Sequence, residues 1–166
     1  MRGKQFIRFV LLVLLQVVVL NHINLGGYVN PYLYVFFILG LPFNIQRWLL
    51  LLSAFLIGLS VDLFSNTPGL NAAASVAMAF ARPFVIRVIS STSEFEAGSE
   101  PTLQSQGMRW YLYYSIILVL LHHSVLFYLE VFRFTEFFLT LFRVLLSSVF
   151  TLSLIFLTEY LLVKRK

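Results

Sequence analysis

The stretch Asp62-Leu-Phe-Ser-Asn-Thr-Pro-Gly-Leu-Asn71 separates two apolar segments that are each long enough to cross a lipid bilayer. Its first residue, Asp62, therefore lies at or just inside a membrane boundary. An ionisable side chain at that depth carries a large free-energy cost and is usually retained for a reason. This stretch predicts a protein with several membrane spans and indicates where its polar interactions lie.

The composition is that of a membrane protein. Apolar residues make up 60% of the chain and charged residues only 11%, against roughly 25% charged residues in an ordinary soluble domain. The sequence has no cysteine, which excludes disulfides and thiolate metal sites. The net charge of +5 does not indicate nucleic-acid binding, because the basic residues lie mostly at segment ends, where they set orientation in a membrane.

Hydropathy predicts a single all-α membrane domain, residues 1–166, folded as a polytopic bundle of six transmembrane helices. The predicted spans are 5–24, 28–41, 48–64, 70–89, 110–130 and 137–163. The second span is short, and its length alone also suits a re-entrant segment. Basic residues at both termini favour an even number of crossings, so we predict that the second span crosses as a short or tilted helix. Both termini and the loop 90–107 are then cytoplasmic.

Helical spacing predicts how the third and fourth spans pack. Ala54, Gly58 and Asp62 recur every four residues, so they share one face of the third span. Small residues let helix backbones approach closely, and the fourth span offers alanines at the same spacing: Ala73, Ala77 and Ala81. We therefore expect these faces to meet and Asp62 to point into the bundle.

The turn between these spans, and a charged position further along, add structural candidates. Pro68 and Gly69 predict a tight turn, with Asn66 or Thr67 available to cap the next helix. Arg82-Pro83 combines a charge with a helix kink in the cytoplasmic half of the fourth span. The simplest interpretation of Arg82 is that it extends to the headgroups along the helix surface.

A charge pair is predicted in the outer half of the bundle. Arg143 lies on a stripe of hydroxyl residues, namely Thr140, Ser147, Thr151 and Thr158. One interpretation of these hydroxyls is that they bond only backbone carbonyls of the preceding turn. An arginine inside the membrane needs an anion, and Asp62 lies at a comparable depth, with Glu130 and Glu136 as alternatives. The candidate intramembrane polar cluster is Asp62, Asn66, Asn71 and Arg143.

No pattern in the sequence predicts an enzyme, a cofactor site or a metal site. His122 and His123 are neighbours on a helix, so their side chains diverge by about 100° and cannot easily reach one ion. We expect hydrogen-bonded interior histidines rather than metal ligands. The chain also lacks a glycine-rich phosphate loop, a nucleophile elbow and a carboxylate dyad.

The sequence resembles the MreD family of rod shape-determining membrane proteins along nearly its whole length. The resemblance is carried by Asn21–Tyr32, by Leu41-Pro-Phe43, by Gly58–Ala74 and by Arg82-Pro83. The string His122-His-Ser-Val-Leu-Phe-Tyr-Leu-Glu130 resembles the version found in Bacteroidetes-like lineages.

This resemblance implies a scaffold of the bacterial cell-elongation (rod) complex in the inner membrane, where it helps to organise peptidoglycan synthesis and cell shape. The implied partner is the bitopic protein MreC, beside MreB and a SEDS glycosyltransferase with its transpeptidase. The lipid-facing sides of the first two spans, including Phe36 and Phe37, are the candidate surface for that partner.

The family's fold is similar to that of the substrate-binding subunits of energy-coupling-factor vitamin transporters. This likeness leaves an alternative function, a vitamin-type binding subunit with a pocket near the outer face. The candidate polar cluster would then line that pocket. Fold likeness alone does not decide between the two functions.

Overall fold

The computed structural model describes residues 2–23, 30–90, 98–131 and 137–164, and its regular structure in these ranges is entirely helical. The helices are α1 (Arg2–Val18), α2 (Val35–Leu39), α3 (Arg47–Ser65), α4 (Leu70–Ile89), α5 (Leu103–Gln106), α6 (Met108–Val131) and α7 (Phe137–Lys164). A 3₁₀ turn, Leu20–His22, follows α1. The all-α prediction is confirmed for the described part of the chain.

Among the described residues, five helices are long and apolar enough to cross a membrane: α1 with the turn that follows it, α3, α4, α6 and α7. They correspond to five of the six predicted spans, and α4 has the predicted bounds 70–89. Apolar side chains are widely exposed on these helices; Phe138, for example, is 83% exposed. Exposed apolar surface on this scale is typical of helices that face lipid.

The second predicted span, 28–41, is not a continuous helix. Its only helical part is the five-residue α2, and residues 30–34 before α2 are not helical. Residues 28 and 29 lie outside the described part of the chain. Pro31 has no backbone N–H to donate and disfavours helical geometry at Asn30. We call residues 30–46 the broken segment.

The broken segment returns the chain from one end of the bundle to the other. We call the end that holds residues 66–69 the turn end and the end that holds α5 the loop end. At the turn end the Asn21 amide donates to Ser65 Oγ at 2.8 Å, which joins the ends of α1 and α3. At the loop end, Lys4 near the start of α1 and Leu49 near the start of α3 line the same cavity. The two helices thus run in the same direction, and the broken segment runs back between their ends.

Gly58 provides the close contact between α3 and α4. A Cβ atom added to Gly58 would lie 2.5 Å from the carbonyl oxygen of Asn71 and 2.6 Å from Cα of Ala72. The small-residue face of α3 therefore packs as predicted. The predicted partner row on α4 is wrong, because Ala73 is exposed and Ala72 makes the contact. The turn between α3 and α4 sets the rotation of α4 about its own axis. Helical spacing alone does not specify this rotation.

We predict that Gly58→Ala destabilises the protein by about 1–3 kcal/mol, because the new methyl group would overlap with backbone atoms that cannot move independently. The measurement is the thermal unfolding midpoint of the purified protein in detergent. Gly3→Ala is the matched control, since nothing lies within 4 Å of its added Cβ. Equal midpoints for both variants would contradict the close packing of α3 on α4.

Candidate functional site

Asp62 organises the polar interactions at the turn end. Its Oδ1 accepts hydrogen bonds from the Thr67 hydroxyl at 2.6 Å, the Asn71 backbone N–H at 3.0 Å and the Asn71 side-chain amide at 2.9 Å. Its Oδ2 accepts from the Ala72 N–H at 2.9 Å. The N–H groups in the first turn of a helix have no partner within that helix, and the helix dipole favours an anion there. Asp62 on α3 therefore caps α4.

This arrangement differs from the predicted cap, which was Asn66 or Thr67. Asn66 is exposed and ends α3 in the left-handed conformation, with φ 53°. Gly69 precedes α4 with φ 79°, a value that favours glycine. Pro68 is exposed between them. Asn66 thus shapes the turn but makes no described contact with the carboxylate, whereas Thr67 supports Asp62 directly.

A chain of hydrogen bonds leads from Asp62 into the centre of the bundle. The Asn71 side-chain nitrogen donates to Asp62 and to the Thr67 hydroxyl, and Asn71 Oδ1 accepts from the Tyr34 hydroxyl at 3.0 Å. The Tyr34 oxygen, 2.8 Å from His122 Nε2, must then accept a hydrogen bond from that nitrogen. His122, Tyr34 and Asn71 are all buried. The network ends on a carboxylate and fixes the tautomer of His122.

A second set of contacts joins α7 to the start of the broken segment. Thr151 Oγ1 accepts from the Tyr32 N–H at 3.0 Å and lies 3.1 Å from His123 Nε2. Ser147 Oγ accepts from the Asn30 N–H at 3.1 Å. Both hydroxyls therefore accept from backbone N–H groups of the broken segment. Thr158, by contrast, donates to the Leu154 carbonyl at 2.7 Å within α7.

The expected hydrogen bonds of the two histidines are confirmed. His123 Nδ1 lies 2.9 Å from the Val119 carbonyl oxygen, and both rings are fully buried. No group of three or more potential metal-ligating side chains occurs within the described residues.

Arg143 and Asp62 occupy separate sites, which corrects the predicted charge pair. Arg143 lies 3.3 Å from Glu130 and 4.7 Å from the centre of the Phe127 ring. Glu130 was the alternative partner; Glu136 lies outside the described residues. The physical reason is that four hydrogen bonds already occupy the Asp62 carboxylate. The Glu130 side chain is 42% exposed, so its pair with Arg143 lies near the surface.

Arg82 is buried, with only 1% of its surface exposed, so the predicted extension to the headgroups is wrong. Its Nε donates to the Tyr114 hydroxyl at 2.7 Å, and its two terminal nitrogens donate to the carbonyls of Leu41 and Pro42. Pro83, next in sequence, lies inside α4 without ending it. Arg82 thus donates to two carbonyls that follow α2, of which the Pro42 carbonyl also accepts from the Ile45 N–H at 3.4 Å.

Arg8 binds the same part of the broken segment from α1. It donates to the Phe36 carbonyl at 3.0 Å and to the Gly40 carbonyl at 3.3 Å, and it lies 3.6 Å from Glu100. We call Arg8 and Arg82 the arginine pair. In the sequence, Arg8 is one of the basic residues near the N-terminus, which predicted only the orientation of the chain in the membrane. The signal that could have revealed this role was the short second predicted span, 28–41, whose backbone N–H and C=O groups cannot all pair within one helix.

Gln16 is a second functional side chain that the sequence analysis missed. It is 1% exposed, donates to the Pro31 carbonyl at 2.9 Å and accepts from the Tyr34 N–H at 3.4 Å. The available signal was an amide side chain within the apolar run that follows Arg8 in α1.

Residues 33–41 of the broken segment are buried, which corrects the expected partner surface. Phe36 is 2% exposed and Phe37 is 4% exposed. Neither ring faces lipid, because the long helices surround α2.

Two cavities lie at the loop end. One, of about 1090 Å³, is lined by residues that include Gln5, Leu41, Leu49 and Ser99. The other, of about 510 Å³, lies between α1 and α7. Comparison with protein-family models, with curated proteins and with solved structures found no match.

We predict that Asp62→Ala and Arg143→Ala are additive in stability, because the two side chains share no partner. Asp62→Ala should cost about 1–3 kcal/mol, since it leaves buried donors of α4 without acceptors. The measurement is the unfolding midpoint of both single variants and of the double variant. A double variant that is more stable than Asp62→Ala alone would contradict additivity and support the predicted charge pair between Asp62 and Arg143.

A second prediction compares two arginines on α4. Arg82→Gln should lower the unfolding midpoint far more than Arg87→Gln, because Arg82 is buried against the broken segment and Arg87 is exposed. Breaking buried charged hydrogen bonds costs roughly 1.5–3 kcal/mol, whereas surface substitutions usually stay within about 0.5 kcal/mol. Similar losses for the two variants would argue against the role of Arg82 in holding the broken segment.

Proposed function

We propose that the protein is a non-catalytic scaffold of the bacterial cell-elongation complex, in which it binds an MreC-like single-span partner in the inner membrane. The observation that carries the proposal is the use of the buried polar side chains. Asp62, Asn71 and Arg82 bind helix ends and the broken segment. They serve the bundle itself, which suits a protein that acts through its outer surface. MreB and the SEDS synthase with its transpeptidase would be reached through that partner.

The carrier alternative receives less support from the same contacts. A pocket for a vitamin near the turn end would need polar groups free to bind it. Asp62 accepts four hydrogen bonds from its own chain, and Arg143 contacts Glu130.

The proposed topology has six crossings, with the broken segment as the second. Non-helical backbone rises ~3.3 Å per residue against ~1.5 Å in a helix, so a partly extended segment can span a bilayer with fewer residues. Non-helical backbone at membrane depth is tolerated where protein surrounds it, as it does around α2. With the loop end in the cytoplasm, the basic residues near both termini obey the charge bias.

Single cysteines at His22 and Gln46 test this crossing, because these exposed residues flank it at opposite ends. The natural chain has no cysteine. An impermeant maleimide added outside the intact inner membrane should label position 22 and not position 46. Pro68→Cys and Gln104→Cys are the matched controls for the turn end and the loop end. Equal labelling at positions 22 and 46 would place both on the same side of the membrane. The broken segment would then not cross, and five crossings would remain.

The outer face of α1 replaces Phe36 and Phe37 as the proposed partner surface. Only 22% of the α1 span is buried, against 33% to 44% for the other four long helices. Phe6, Val10 and Leu14 are four residues apart, so they form one stripe, and they are 69%, 36% and 53% exposed. Packing holds helices together in lipid, so this free surface is the one best able to accept a partner helix.

Depletion of the protein should turn rod-shaped cells round without creating a need for one nutrient. Phe6→Ala with Leu14→Ala should reduce the amount of single-span partner that co-purifies from native membranes. Phe138→Ala on α7 is the control, because its ring is also exposed. Cells that keep their shape but require one supplied vitamin would favour the carrier, and co-purified ATPase subunits would do the same.

A further inference from the structure

The cavity between α1 and α7 has the dimensions and position of a lipid site. Its volume is about 510 Å³, within the range of small-molecule pockets. Its lining includes Ile7, Leu11 and Leu12 of α1 and Leu162 of α7. Ile7, Leu11 and Leu162 are exposed side chains, so the cavity opens on the bundle surface. We call it the α1–α7 groove.

Charged side chains line the groove near the loop end and about one helical turn below it, since Arg8 lies one turn deeper than Lys4 and Glu159 one turn deeper than Leu162. Lys4, Glu100 and Gln104 line its part at the loop end, close to the beginning of α1 and the end of α7. Leu11 lies about two helical turns deeper, roughly 10 Å from Lys4 along the axis. An occupant that fits both parts has a charged group at the membrane surface and a hydrocarbon chain below it.

Four charged side chains line the groove, namely Lys4, Arg8, Glu100 and Glu159, and Glu100 pairs with both Lys4 and Arg8. The Lys4 ammonium is 3.5 Å from Glu100, and its side chain is 71% exposed. Glu159 is only 3% exposed, yet its carboxylate accepts just two long hydrogen bonds, both 3.4 Å, from Leu103 N–H and Tyr111 hydroxyl. It has no ion pair among the described residues. A buried carboxylate with such weak partners favours a cation.

We propose that the α1–α7 groove binds one amine-bearing phospholipid from the cytoplasmic leaflet, with its phosphate on Lys4 and its ammonium on Glu159. An ethanolamine headgroup carries both charges and can donate hydrogen bonds to a carboxylate. A glycerol headgroup has no cation to offer Glu159, and a choline headgroup has no N–H donor. The acyl chain lies against Ile7 and Leu11. The proposal uses the membrane placement given above but not the partner or the role in cell shape.

The test is native mass spectrometry of the purified full-length chain, mixed with phosphatidylethanolamine or phosphatidylglycerol in detergent. One phosphatidylethanolamine should be retained, with an apparent affinity on the order of tenfold above that of phosphatidylglycerol, the effect of one charge-assisted hydrogen bond. Glu159→Gln should remove this preference. Glu130→Gln, which changes a carboxylate at the other end of the bundle, should keep it. Equal retention of both lipids by the natural chain would overturn the proposal.

A photoreactive residue at Leu11 provides a second measurement that does not depend on the stability of the Glu159 variant. Irradiation in native membranes should give an adduct with phosphatidylethanolamine, and Leu162→Trp should reduce its yield by filling the groove. An adduct dominated by another protein would mean that a partner helix occupies the groove, which overturns the lipid site. Loss of the adduct leaves the cell-shape assay unaffected, so the two proposals can fail separately.

Discussion

The fold depends on pairing the backbone N–H and C=O groups of the broken segment, whose residues 33–41 are buried. Within a bilayer an unpaired N–H or C=O group costs several kcal/mol, and the five-residue α2 can satisfy few of its own. Four long helices supply side chains instead. Ser147 and Thr151 of α7 accept from its first N–H groups, Gln16 of α1 binds Pro31 and Tyr34, and Tyr114 of α6 donates to Leu39. The arginine pair, from α1 and α4, binds carbonyls at its other end.

The two ends of the broken segment need different chemistry, which explains where the hydroxyls and the arginines lie. Its beginning presents N–H donors, and a threonine or serine oxygen can accept from them. Its end presents several carbonyls, and arginine has five donors and stays charged in every protein environment. A buried cation without a carboxylate is costly. Arg82 nevertheless tolerates this site because its Nε and both terminal nitrogens donate to oxygen atoms at once.

The sequence predicts the long helices well because length and hydropathy are local properties. It also predicts that Gly58 meets α4 and that Asp62 points inward, since four-residue spacing defines a face within one helix. It does not define how that face is rotated against its neighbours. The predicted spans place Asp62 and Arg143 at comparable depths in the membrane, but their lateral positions depend on how the helices pack. In the structure each of the two side chains has its own partner. Phe36 fails as a lipid-facing residue for the same reason, because neighbouring helices enclose α2.

The contacts of α1 connect the outer surface of the bundle to its interior. α1 is the least buried of the long helices, so little packing surface holds it in place. Yet its Arg8 binds the Phe36 and Gly40 carbonyls of the broken segment, and its Lys4 and Gln5 contact Glu100. Any molecule that binds the exposed stripe of α1 or fills the α1–α7 groove must act on these polar contacts. A shift of α1 would withdraw Arg8 from both of these carbonyls. Binding at the outer face of α1 is therefore expected to act on the broken segment through Arg8.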